Sequence, residues 1–270
     1  LIDEKMKLNI IDGVILIDTE GERIGQINGL TVIDIGTLAF GKPARITATI
    51  SAGSSGIINI EREVEMSGPI HSKGVLILSG ILRERFAHDK PLALTASIAF
   101  EQSYGDIDGD SASAAEIYTL LSAISEVPIK QNFAITGSIN QKGDIQPIGG
   151  VNEKITGFYE ICKERGFTGE QGVIIPVQNV DDLMLNKEII ESVKKGQFHI
   201  YSISKMEDGI ELLMDMKAGK RKKNGKYPSG TLFRKVEDRL EELRKASNDE
   251  DNKKVVKAPK KKQVQQPEVD

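Results

Sequence analysis

Apolar positions recur along this chain in two rhythms. GVILID, GQINGLTVID, ARITATIS and GIINIE are β-branched runs broken by glycines and polar turns; they predict strands and an antiparallel opening. HSKGVLILSGILRERFA spaces Val75, Leu76, Leu78, Ile81 and Leu82 at helical intervals. PLALTASIAFE predicts a strand, and SASAAEIYTLLSAISE a helix with Leu120, Leu121 and Ile124 on its inner face. Two short strands, NFAITGSIN and QGVIIPVQN, bracket a further helix after PIGG. NKEIIESVKKG, FHIYSIS and MEDGIELLMDM follow as helix, strand and helix. No internal repeat is visible. The predicted class is α+β, a mixed α/β fold with antiparallel N-terminal strands and a later half closer to αβ alternation.

The helix after Gly149 and Gly150 carries an anomaly. At about 100° per residue, Val151, Ile155, Phe158, Tyr159, Ile161 and Cys162 share one face. Asn152, Glu153, Thr156, Glu160, Lys163 and Glu164 take the other. Lys154 falls inside the apolar arc, between Ile161 and Phe158. Desolvation there disfavours the charged form and pulls the amine towards neutrality, where it can act as a general base. The competing reading is a stem that covers the core while its ammonium reaches water.

Composition sets the frame. A chain of 270 residues can bury one large core or two small ones. No apolar run approaches the length of a transmembrane span, and the start lacks a signal-peptide pattern. The first residue is not Met, so a piece of a longer protein is expected. Cys162 is the one cysteine; it excludes an intrachain disulfide or thiolate metal cluster and fits a cytoplasmic location. Residues 217–270 hold 17 basic and 9 acidic side chains, near +8, so the preceding 216 residues stand near −12. This asymmetry divides the chain into a body, 1–216, and a basic tail, 217–270. Within the tail, TLFRKVEDRLEELRKA predicts an amphipathic helix through Leu232, Val236, Leu240 and Leu243, and SNDEDNKKVVKAPKKKQVQQPEVD predicts disorder. The basic run is expected to be solvated, with nucleic-acid contact as the alternative. No membrane contact is expected.

Several motifs carry less than they suggest. GTLAFGKP, residues 36–43, matches G-x-x-x-x-G-K, but Pro43 stands where a magnesium-binding hydroxyl belongs and a strand follows instead of a helix. His71, His88 and His199 have no metal-ligand partners at helical spacing. His71, at a helix start after a Gly-Pro turn, is the one most favourably placed near a site. SVKK and SISK lack the companion motifs of the S-x-x-K acylases. Ser111 is different. It follows a Gly-Asp turn and is expected to open a helix, where N–H groups lie free to bind an anion. Ala112, Ala114 and Ala115 leave room for a substrate backbone. Simple N-capping by Asp110, Ser111 or Ser113 is the plainer account.

GDSAS with its alanine-rich helix, followed by TGSINQKGDIQPIGGVNEKITG, resembles the proteolytic domain of the Lon family of ATP-dependent serine peptidases. The likeness runs from about residue 93 to 215. It implies a Ser-Lys dyad with Ser111 as nucleophile and Lys154 as base. Thr136 matches a threonine near the lysine, and Asp110 an acid able to influence the dyad; Asp108 and Glu101 match nearby acids less closely. ASIAFEQSYGDIDGDSAS resembles the B-type and the ATPase-deficient branches. The resemblance further implies unfolded or damaged protein substrates, as in protein quality control, and a homo-oligomeric ring, usually a hexamer. No cofactor or metal is expected in this chain, with ATP used only by an upstream ATPase module. A non-catalytic assembly or binding module on the same fold is the alternative.

Overall fold

The computed structural model describes residues 2–36 and 38–256. In chain order its elements are α1 (Ile2–Ile11), β1 (Glu22–Arg23), β2 (Gln26–Asp34), β3 (Ala39–Ser51), β4 (Gly56–Asn59), α2 (Ile60–Glu63), α3 (Pro69–Phe86) and β5 (Thr95–Phe100). There follow α4 (Ser113–Ser125), β6 (Ile129–Lys130), β7 (Phe133–Ile135), β8 (Ser138–Ile139), β9 (Ile145–Gln146), α5 (Val151–Arg165) and β10 (Gly172–Pro176). The last are α6 (Lys187–Lys194), β11 (His199–Ile203), α7 (Met206–Met214) and α8 (Leu232–Val256).

Seven strands form one mixed sheet in the order β11-β10-β7-β2-β3-β5-β4. β2, β3 and β5 are antiparallel neighbours, while β7, β10 and β11 run parallel to one another and to β2. β1 with β6 and β8 with β9 make separate two-stranded ribbons. This is the mixed α+β class that the periodicities predict. The antiparallel opening holds for β2 and β3 but not for GIINIE: β4 lies parallel to β5. Parallel neighbours need a long crossover, and α2 with α3 supplies it.

GVILID is no strand either. Its backbone meets a side chain instead of a neighbour: Leu16 N–H donates to Gln102 Oε1, and Gln102 Nε2 donates to the Val14 carbonyl. Ile17 then fills a small core with Ile10 of α1 and Ile161 of α5. NFAITGSIN is split into β7 and β8, because Thr136 and Gly137 turn aside to bind the segment around Ser111.

Alternation along each strand makes two cores, one on each face of the sheet. Ile27 of β2, Ile135 of β7 and Ile174 of β10 face α4. Leu30, Ala134, Val173 and Ile175 of the same strands face α5. α4 is buried from Ser113 through Ile124, which explains its run of small and apolar residues. α5 sits against β3 through two glycines: a Cβ on Gly41 would strike the Glu153 carbonyl, and one on Gly157 would strike the Gly41 carbonyl. Close backbone approach is what glycine permits there.

The C-terminal region packs as well. Ala218, Tyr227, Leu232, Phe233, Val236, Leu240 and Leu243 belong to the same core as α4, so packing continues past position 216. α8 runs beyond Ala246 to Val256, through the first part of the stretch expected to be disordered; residues 257–270 lie outside the described residues. Among the described residues no helix is long and apolar enough to cross a membrane.

Candidate active site

Ser111 lies in a turn two residues before α4, not in the helix itself. Gly109, at φ +92°, allows the chain to reverse there. The Asp110 carbonyl accepts hydrogen bonds from the Ser113 N–H at 3.0 Å and the Ser113 hydroxyl at 2.8 Å, which closes the turn. The Ser111 carbonyl is gripped from the far side, accepting from Gly137 N–H at 2.8 Å and from the Thr136 hydroxyl at 3.2 Å. Ala114 N–H donates to the Gly137 carbonyl, and Ile139 N–H to Ser113 Oγ. Six hydrogen bonds thus fasten the turn to itself and to the segment after β7, and leave the Ser111 hydroxyl at the surface of a cleft.

Lys154 arrives from the other face of the sheet. α5 starts at Gly150, whose φ of +68° suits the glycine of PIGG. One turn later Lys154 is 3 % exposed, in the apolar arc where its wheel position puts it. Its Nζ reaches past the end of β7, donating to Ser111 Oγ at 3.0 Å and to Thr136 Oγ1 at 3.1 Å. Burial pulls its pKa from 10.5 to about 8, against the opposing charge of Asp110. An amine this close to neutrality, in hydrogen-bond reach of the cleft-lining Ser111 hydroxyl, has the geometry of a base and its nucleophile.

Asp110 is turned by Ser138, whose hydroxyl donates to Oδ2 at 2.8 Å. Ser138 was not singled out by the sequence; it opens β8, 28 positions from Asp110. Asp108 lines the same cleft, but neither it nor Glu101 bonds to the pair. Asp108 Oδ1 accepts from the N–H groups of Ile70 and His71 at the start of α3, and Glu101 accepts from the Thr47 hydroxyl. His88 is exposed, and His199 pairs with the Gly169 carbonyl. Ser192 is bonded to the Tyr159 hydroxyl and Lys205 to Asp144, so neither S-x-x-K motif makes a pair. Residues 39–43 of GTLAFGKP lie in β3, with Gly41 packed on α5.

The cleft beside Ser111 and Lys154 has a volume of about 890 Å³, and Thr31, Lys42, Tyr104 and Ile107 line it as well. It is large enough for several residues of an extended peptide. Among the described residues no three His, Cys, Asp or Glu side chains stand close enough together to hold a metal.

Residues 98–216 match the Lon protease (S16) C-terminal proteolytic domain. A Lon protease homolog of Escherichia coli (strain K12) is 46% identical over 215 residues, covering 79% of this chain and 37% of that protein. One from Haemophilus influenzae is 41% identical over 240 residues, 88% of this chain and 40% of that protein. The Archaeal Lon protease of Methanocaldococcus jannaschii is 31% identical over 211 residues, 74% of this chain and 29% of that protein. The chain therefore spans about two fifths of the length of the first two relatives. Ser111, Thr136 and Lys154 all fall within the matched segment, and over residues 98–216 this chain carries the proteolytic domain of the Lon protease family.

Proposed function

We propose that this chain is the peptidase module of a Lon-like serine endopeptidase acting through a Ser111–Lys154 dyad. The observation that carries the reading is the 3.0 Å contact between Lys154 Nζ and Ser111 Oγ, with the amine held at about 8. Neutral Lys154 accepts the Ser111 proton as Oγ attacks the scissile carbonyl carbon. Negative charge on the carbonyl oxygen falls to backbone N–H groups of the turn; among the described residues, those of Ser111 and Ala112 meet no acceptor. The ammonium of Lys154 returns its proton to the leaving amine as the C–N bond breaks. Water, deprotonated by Lys154, then adds to the acyl carbon, and Oγ departs with that proton. Thr136 keeps the amine and the Ser111 backbone in register.

A cleft of about 890 Å³ beside the pair suits extended, unfolded polypeptide. Any use of ATP belongs to a segment outside these 270 residues, and a ring, six-fold as in the wider family, would gather the clefts around one chamber. Hydrolysis of unfolded casein by the wild type, Ser111→Ala and Lys154→Ala tests the dyad. Activity in the wild type alone is the expected result; activity surviving in either variant overturns it.

A further inference from the structure

His71 is 1 % exposed and belongs to no step of the reaction just described. Its ring spans two elements. Nε2 lies 2.9 Å from Glu116 Oε1 on α4, itself 1 % exposed, and Nδ1 lies 2.9 Å from Ser67 Oγ. Ser67 forms a β-bridge with Ile107; Gly68 N–H donates to the Ile107 carbonyl, and Ile107 N–H to that of Met66. Asp108 takes the first N–H groups of α3, and a Cβ at Gly74 would rest 3.6 Å from those of Asp110 and Ser113. The start of α3 is therefore fastened to residues 107–116, the stretch that contains Ser111, by backbone, cap and ring together.

The ring is the one of these ties made between two side chains that are each 1 % exposed. Burial lowers the His71 pKa, but the hydrogen bond and charge of Glu116, with the charges of Glu61 on α2 and Asp108 in the loop, outweigh it and raise it. Glu116 Oε2 and Glu61 Oε2 are buried without partners among the described residues, so losing the ring strips the Glu116 carboxyl of its Oε1 partner as well.

We propose that His71 is a positioning residue for the turn that presents Ser111: by tying the start of α3 to Glu116 it holds residues 107–113 where the Ser111 hydroxyl meets the Lys154 amine. The catalytic meaning of this rests on the dyad reading, but the positioning can be measured without it.

Amide hydrogen exchange of the full chain, wild type against His71→Gln, is the test. Exchange at Ile70, Ile107 and Ser113 is expected to rise about tenfold, the loss of one buried hydrogen bond, while amides of β2 and β3 keep their protection. Peptide kcat falls by a similar factor with KM unchanged. Asp108→Ala, at an exposed position that threatens folding less, is expected to loosen the same three amides. Unchanged exchange at Ile107 and Ser113 in His71→Gln overturns the proposal, as does a uniform rise across the whole chain. A wild type that cleaves nothing, yet shows the local change in exchange, defeats the dyad and leaves the positioning standing.

Discussion

Lys154 Nζ and Thr136 Oγ1 lie 3.1 Å apart, and the same hydroxyl donates to the Ser111 carbonyl at 3.2 Å. One side chain at the end of β7 thus touches both members of the proposed dyad. Thr136→Val keeps the shape and removes both bonds. A buried hydrogen bond to a charged or titrating group is worth about 1.5–3 kcal/mol, so kcat is expected to fall roughly ten- to a hundredfold with KM little changed. Steady-state kinetics on a fluorogenic peptide check this; an unaltered kcat removes Thr136 from the mechanism.

The pH profile should follow Lys154. The base works only when neutral, so kcat/KM rises with pH through about 8 and levels off above it. Asp110 holds the amine up, and Asp110→Ala is expected to move the inflection to lower pH. A profile that does not move disproves their coupling.

Stability should show the same group with the opposite benefit. Between about 8 and 10.5 the unfolded chain keeps a proton on Lys154 that the folded chain has lost, so folding stability gains with rising pH across that window. Below about 8 the folded protein bears the full cost of burying the ammonium. Lys154→Met is therefore expected to stabilise the fold at neutral pH, on the order of 3 kcal/mol before relaxation. Thermal denaturation at pH 7 measures it, and a lower melting temperature would contradict the account of the amine's burial.

Gly157→Ala tests the seat of α5. The added methyl meets the Gly41 carbonyl of β3, and overpacking of this kind costs about 1–3 kcal/mol. Because Lys154 stands three residues earlier on the same helix, kcat is expected to drop by more than the stability loss alone explains. Full activity in a folded variant would mean that the helix tolerates the shift.

Phe233 probes the C-terminal region. It is fully buried and packs edge-on to Phe86 of α3. Phe233→Ala is expected to cost about 3–5 kcal/mol, and deletion of residues 217–270 at least as much. A deletion that melts at the wild-type temperature would support a boundary near Met216.

Side chains carried the site into the sequence more faithfully than the strands did. Lys154 was legible because a fifteen-residue helix has a sharp period, and one charge in its apolar arc stands out. The turn around Ser111 was placed too close to the helix, since Asp110 and Ser113 suit a cap as well as a tight turn. GVILID failed because alternation records burial, and Gln102 can satisfy a backbone without a neighbouring strand. Ser138 and the His71–Glu116 pair stayed hidden for a plainer reason: contacts across 28 and 45 positions leave no trace in local spacing.

The proposed hydroxyl and amine are anchored in separate hydrophobic layers that flank one sheet. They meet like the jaws of a caliper, with the strands as its frame. The backbone contact of Gly157 on Gly41 sets the opening of those jaws, so any change in its thickness moves the amine relative to the hydroxyl without altering either group.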